Sequence, residues 1–134
     1  MLDRIVDANH HQISIAQDLS LSHAGTVWDG ALTMVYYWNK NPAIAEHLLK
    51  DKNVLELGSG TGIVGLSSAA FGAKRVYLTD LPEYLHILHV NKAKNEGLFH
   101  KPTHTEDTFE VRHLQWDNKN DIAEITQIDT IIGS

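Results

Sequence analysis

The residues whose types and spacing could do chemistry crowd into one stretch, Val54-Leu55-Glu56-Leu57-Gly58-Ser59-Gly60-Thr61-Gly62-Ile63-Val64-Gly65-Leu66. An acid, Glu56, precedes alternating glycines at positions 58, 60 and 62. Glycine takes backbone angles that a Cβ forbids and lets a ligand come close to the main chain. The apolar run before the glycines reads as a short buried strand, and the residues after them as the start of a helix. A helix start offers unpaired N–H groups and the positive end of its dipole to whatever lies above it. A second acid, Asp80, ends the next apparent strand, Arg75 to Thr79, about 20 residues on, where an acid takes ribose hydroxyls in nucleotide-binding folds. The chemistry on offer is the binding of a nucleoside-bearing ligand over a glycine turn.

The spacing separates the candidate ligands. The dinucleotide fingerprint is G-x-G-x-x-G, with a pyrophosphate on the helix N-terminus. Here it is G-x-G-x-G, and Gly65 falls outside the dinucleotide register. Glu56, at the carboxyl end of the strand, would repel a pyrophosphate. It suits a ligand with positive charge, such as the ammonium and sulfonium of S-adenosylmethionine. A tight turn with no ligand would require the acid–glycine–acid pattern to be coincidence.

The elements around this stretch must position it. Residues 1–24 read as an irregular or hairpin lead-in, in which Gln12 to Ala16 alternates like a half-buried strand. Thr26 to Asp29 fits the capping-box pattern, with Asp in place of the usual Glu, and predicts a helix from Val27 to about Asn39, with Trp28, Ala31, Leu32, Val35 and Trp38 or Asn39 along one stripe. Asn41 as N-cap and Pro42 at the first helical position open a second helix, with Ile44, Ala45, Leu48 and Leu49 inward. A helix from about Ile63 to Phe71 is rich in small residues, which let it pack close to a sheet, and Gly72 closes it. After the strand ending at Asp80, Pro82 opens another helix that Gly97 closes. Residues 98–108 read as a loop and Phe109 to Trp116 as a strand with edge character from Glu110, Arg112 and His113. A short helix over 121–126 and a strand over 128–134 follow.

This alternation predicts an α/β fold, a Rossmann-like, doubly wound and mainly parallel sheet. The chain reads as a single domain, in which residues 1–52 precede a nucleotide-binding core of residues 53–134. Ligands of such folds sit at the carboxyl ends of the strands, where the strand order reverses. Gly58 to Gly62, Asp80, Trp116 and Ser134 all fall at such ends.

Composition narrows the partners. A chain of 134 residues can bury a core of its own. A net charge of −6 argues against a broad nucleic-acid-binding face, which needs a surplus of Lys and Arg. The absence of cysteine removes disulfides, thiolate chemistry and cysteine–zinc sites, and is compatible with a cytoplasmic protein, with the nucleus as a further location. Asp3, Arg4 and Asp7 break any signal-peptide pattern, and no apolar run reaches the roughly 20 residues that span a bilayer. His10 and His11 read as a solvated turn, and His86 and His89 as ordinary helix histidines, so no metal is expected.

At these residues the chain resembles class I, seven-β-strand, S-adenosylmethionine-dependent methyltransferases. More narrowly, it is similar to the methyltransferase-like 21 group of protein-lysine methyltransferases. The resemblance runs from about Gln12 onward and rests on Val27 to Leu32, Val54 to Gly62, Leu78 to Asp80, Leu114 to Trp116 and Ile128 to Ser134. It implies that Trp28 lines the cofactor site and that Gly58, Ser59 and Gly60 give backbone contacts to the methionine portion. It further implies that Asp80 takes the ribose hydroxyls, that Trp116 lies near the adenine, and that Ser134 borders the cofactor. The implied cofactor is S-adenosyl-L-methionine, the implied partner a protein bearing the target lysine, and the implied activity lysine N-methylation. A small-molecule or other-residue acceptor, and a non-catalytic binding module, are the alternatives. For the residues, the alternatives are Trp28 and Trp116 as core aromatics and Asp80 as the N-cap of the Pro82 helix. No residue reads as a general base for a lysine. The family follows its fourth strand with an acid-x-x-aromatic motif that helps place the substrate amine, and then with the last strands of its sheet. This sequence stops at Ser134, so it is expected to be the cofactor-binding part of a longer functional chain, with the C-terminal strands missing.

Overall fold

The computed structural model describes residues 1–99 and 107–134. Its first elements are an antiparallel hairpin, β1 (Leu2–Ala8) and β2 (His11–Gln17). Asn9 and His10, at φ 45° and 66°, form the two-residue turn, a left-handed geometry that suits the twist of the flanking strands. The lead-in is thus a regular hairpin, with His10 in its turn. Ile13 and Ile15 bury on β2, whereas Leu2 and Ile5 of β1 stay exposed, so β2 is the strand that docks.

A segment of 3-10 turns over Leu19–Gly25 leads to helices α1 (Asp29–Lys40) and α2 (Pro42–Leu49). The expected capping box does not form. The N-cap is Trp28, with no side-chain cap, and the helix begins at Asp29. Thr26 is extended, and the Val27 N–H donates to Gln17 Oε1 at 2.9 Å. This tie to the hairpin holds the chain straight through the residues that would have made the first turn. Trp28 consequently leaves the buried stripe of α1, which consists of Ala31, Val35 and Trp38. Pro42 opens α2 as expected, and the i, i+4 pair Ala45 and Leu49 buries. Ile44 and Leu48, expected inward, are 44% and 42% exposed, because only that narrow stripe reaches the core.

The remaining elements are β3 (Asn53–Glu56), α3 (Ile63–Ala70), β4 (Arg75–Asp80), α4 (Leu85–Asn95), β5 (Phe109–His113), α5 (Lys119–Ala123) and β6 (Thr130–Ile132). Among the described residues the core sheet has four strands, all parallel, in the order β5-β4-β3-β6. The chain steps one way through β3, β4 and β5, then returns to the far side of β3. Right-handed crossovers send α3 and α4 over one face and the α5 connection over the other. This is the doubly wound α/β arrangement, with its reversal between β3 and β6. The edge character of the Phe109 strand is borne out by its place at one end of the sheet.

Several boundaries shift for local reasons. The Phe109 strand ends at His113 rather than Trp116, after which the Leu114 N–H donates to Asp80 O at 2.9 Å and the chain turns. α5 starts at Lys119, not Asp121, because Asn118 Oδ1 takes the N–H groups of Asn120 and Asp121. Pro82 opens a single 3-10 turn that runs into α4, and Gly97 sits in another just beyond it. Residues 100–106 of the expected loop lie outside the described residues.

Close packing of α3 on the sheet depends on Gly65, where an added Cβ would strike Leu78 and Glu56. One core takes in Ile13 and Ile15 of the hairpin, Val35 and Trp38 of α1, Leu49 of α2, Leu66 of α3, and Val54, Val76 and Leu78 of the sheet.

Candidate cofactor site

The site begins where β3 stops. The Leu57 N–H donates to Ile132 O at 2.9 Å, the last rung between β3 and β6. Gly58, Gly60 and Gly62 then take φ 60°, 53° and 84°, left-handed angles that favour glycine and wind the turn tightly. Two reciprocal bonds clamp this turn to β4: the Ser59 N–H donates to Thr79 O at 2.8 Å, and the Thr79 N–H to Ser59 Oγ at 2.9 Å. The Gly60 N–H donates to Asp80 Oδ2 at 2.7 Å, and the Leu81 N–H to Asp80 Oδ1 at 2.8 Å. Asp80 therefore braces the turn. The N-cap of the Pro82 turn is Leu81, without a side-chain cap, so Asp80 does not fill that role. An ionised carboxylate has about four acceptor positions. The two backbone amides leave room for further donors. Of the turn amides, those of Ser59 and Gly60 face β4, while the Gly58 N–H finds no acceptor among the described residues.

Glu56 occupies a different place from the one expected of a cofactor contact. It is 1% exposed and lies beneath the turn, away from the cavity wall. Its Oε2 accepts the Gly65 N–H at 3.0 Å, satisfying one of the orphan donors at the start of α3. Burial pushes its carboxyl up to about 8, against the Ser59 and Gly65 hydrogen bonds that pull it down, and the charge of Asp80 adds to the rise.

Above the turn opens a cavity of about 670 Å³, within the range of small-molecule sites. Trp28, Gly58, Ser59, Gly60, Asp80, Trp116 and Ser134 all line it. Trp28 and Trp116 are 53% and 69% exposed, so neither serves as a core aromatic. Trp28 is fixed by its Nε1–H, which donates to His23 O at 2.7 Å, and by stacking on the His23 ring at 5.6 Å between centroids. The loop bearing Trp116 is held by Asp121, whose Oδ2 accepts the Gln115 N–H at 3.1 Å while Oδ1 meets His113 Nε2 at 2.9 Å.

Sequence reasoning missed the roof. His23 and Ala24 of the 3-10 segment also line the cavity, as do Tyr84 and Gln115. Ala24 O lies 3.2 Å from where a Cβ on Gly60 would sit, so the roof rests against the turn. The one signal was Gly25. Its N-terminal neighbour in space is Asp18, whose N–H donates to Gly25 O at 2.9 Å and whose carbonyl a Cβ on Gly25 would strike.

A floor of left-handed glycines, a carboxylate with open acceptor positions and two exposed indoles fit an adenosyl-bearing ligand with an apolar base and a diol. Set at the reversal of a parallel sheet, they define a class I methyltransferase fold. Solved structures agree on the fold: the Trypanosoma brucei PRMT1 enzyme–prozyme complex with AdoHcy matches with a TM-score of 0.53 at 24% identity, over 79% of this chain and 29% of that one. Protein arginine methyltransferase 10 of Arabidopsis thaliana matches with a TM-score of 0.51 at 21% identity, over 78% and 26%.

Residues 7–134 match the family described as lysine methyltransferase, and the chain belongs to that family. Among its relatives, protein-lysine methyltransferase METTL21E of Bos taurus is 34% identical over 79% of this chain and 33% of its own length. Protein N-lysine methyltransferase METTL21A of Danio rerio is 32% identical over 93% of this chain and 53% of its own. The EEF1A lysine methyltransferase 3 of Mus musculus is 38% identical over 63% and 35%. The resemblance to the methyltransferase-like 21 group is thus borne out. The chain spans about a third to a half of the length of these curated relatives.

Proposed function

We propose that this chain is the cofactor-binding part of an S-adenosylmethionine-dependent protein-lysine N-methyltransferase. The observation that carries the reading is Asp80, on the wall of a cavity floored by Gly58 to Gly60, in a chain of the lysine methyltransferase family. S-adenosylmethionine, when bound, supplies a methyl group activated on a sulfonium. The residues of this chain bind and orient it. Asp80 offers its open acceptor positions to the ribose hydroxyls. Gly58 presents its N–H, and the turn as a whole its close backbone, to the methionine portion. Trp116 flanks the adenine, with Trp28 and Ser134 on the remaining wall. Methyl transfer to an amine relies on proximity, orientation and exclusion of water. The roof over Gly60 and the two indoles contribute the exclusion of water.

The acceptor in this reading is a lysine of a protein, supported by relatives named for that activity. Calorimetry of this chain with S-adenosylhomocysteine tests the cofactor, and the absence of binding would overturn it. Incubating the protein, as it is expressed in its cells, with tritiated S-adenosylmethionine and lysate tests the acceptor. Label in a protein band, recovered as methyl-lysine on hydrolysis, is the expected result. Label confined to small molecules would overturn the protein acceptor.

A further inference from the structure

Helix α4 carries two asparagines one turn apart, Asn91 and Asn95, both wholly buried. Buried backbone groups must find partners, and among the described residues β2 pairs with β1 along one edge only. Its other edge is completed by these side chains. Ser14 and Ala16 point their N–H and C=O groups the same way, about 6.6 Å apart along the strand, close to the roughly 6 Å between i and i+4 on a helix. Asn95 Oδ1 accepts the Ser14 N–H at 2.8 Å, and its Nδ2 donates to Ser14 O at 2.7 Å and to Asn91 O at 2.7 Å. Asn91 Oδ1 accepts the Ala16 N–H at 2.7 Å, and its Nδ2 donates to Ala16 O at 3.0 Å. The amide orientation follows from the partners, since a flip would set donor against donor.

The two differ in the further bond that each makes: that of Asn95 stays within α4, while that of Asn91 reaches the cofactor turn. The second hydrogen on its Nδ2 goes to Thr61 O at 2.8 Å, between Gly60 and Gly62 in the cofactor turn. Ala16 immediately precedes the two residues that root the roof: Gln17, which takes the Val27 N–H, and Asp18, which bonds Gly25. One buried carboxamide thus spans from the root of the roof to the floor.

We infer that Asn91 is a positioning residue for the cofactor site. It fixes the glycine turn against the hairpin that anchors the Leu19–Gly25 roof, and so preorganises the cavity for its ligand. The inference rests on the cofactor reading above for its consequence, though the hold on the turn can be measured without a ligand. Asn95 is the internal control, because it makes the same bonds to β2 and none to the turn.

The test compares Asn91→Ala, Asn91→Asp and Asn95→Ala with the parent. Asn91→Asp keeps an acceptor for the Ala16 N–H and removes the donor to both Ala16 O and Thr61 O, which preserves an informative variant if the alanine exchange does not fold. Hydrogen–deuterium exchange on ligand-free protein should show faster exchange at the Ser59 and Gly62 amides in the Asn91 variants and parent-like exchange there in Asn95→Ala. S-adenosylhomocysteine affinity should fall about tenfold or more in the Asn91 variants, as loss of one buried hydrogen bond implies, and stay within about twofold in Asn95→Ala. All variants will melt earlier, so melting temperature does not discriminate. Equal effects of the Asn91 and Asn95 changes, or unchanged exchange across the turn, would overturn the inference. Failure of the parent to bind S-adenosylhomocysteine would sink the cofactor reading, while the exchange comparison would still decide whether Asn91 holds the turn.

Discussion

Asp80 Oδ2 holds the Gly60 N–H at 2.7 Å, so the acid at the end of β4 is bonded to the turn at the end of β3. The same carboxylate that would receive the ribose also shapes the floor beneath the cofactor. Asp80→Ala should therefore have two effects. Affinity for S-adenosylhomocysteine should fall by at least about tenfold, since a charge-assisted bond is worth roughly 1.5–3 kcal/mol. The melting temperature of the free protein should fall too, because the Gly60 and Leu81 amides lose their acceptor. Asp80→Asn, retaining one acceptor oxygen, should fall between parent and alanine in affinity. A change in melting temperature alone would leave Asp80 a brace and nothing more.

Glu56 makes stability depend on pH. Its carboxyl is raised from 4.5 to about 8 in the folded protein, chiefly by burial. Between these values the folded state keeps a proton that the unfolded chain has released. The contribution of Glu56 to stability is thus fully present below pH 4.5, falls as pH rises through the window, and is lost above about pH 8. The slope is on the order of 1 kcal/mol per pH unit. Glu56→Gln removes the titration, so urea unfolding from pH 5 to 8 should show the variant gaining on the parent. Parallel profiles would show that the buried acid is not titrating as described.

Much of this was legible in the sequence because it is local. Gly58, Gly60 and Gly62 announce left-handed angles, and the apolar runs before and after them announce a strand and a helix. What failed was non-local. The capping pattern Thr26 to Asp29 is sound in isolation, yet the Val27 N–H is taken by Gln17, ten residues earlier. The orientation of Glu56 was available from strand parity. It shares a face of β3 with the fully buried Val54, and that face is covered by α3, where its carboxylate meets Gly65. The roof gave little sign, because Leu19 to Gly25 is short, irregular and without periodicity.

Gly25 tests that roof. A methyl group there would strike the Asp18 carbonyl and force the Leu19–Gly25 loop open at its base. Gly25→Ala should lower S-adenosylhomocysteine affinity by roughly tenfold, or about 1.4 kcal/mol, by displacing Ala24 and His23 from the cavity wall. Gly60→Val is a poorer probe. It adds strain at φ 53° and a contact with Ala24 O, so it should depress melting temperature and binding together. Unaltered affinity in Gly25→Ala would show that the loop does not enclose the ligand.

Trp116 separates binding from packing most cleanly. Its ring is 69% exposed, on a loop held in place by main-chain and Asp121 contacts rather than by the indole. Cζ2 lies 3.5 Å from where a Cβ on Gly58 would sit, so the ring stands against a turn residue that lines the cavity. Among the described residues it is not part of the buried core. Trp116→Ala should leave unfolding free energy within about 0.5 kcal/mol of the parent, as surface changes do. Stacking of a base on an aromatic ring is worth about 1–3 kcal/mol, so affinity for S-adenosylhomocysteine should fall by about tenfold or more. Trp116→Phe, which keeps a ring over Gly58, should recover much of the loss. Calorimetry paired with urea unfolding reads both quantities on the same samples. Parent-like affinity in the alanine variant would remove Trp116 from the cofactor site, and a large loss of stability would return it to the core.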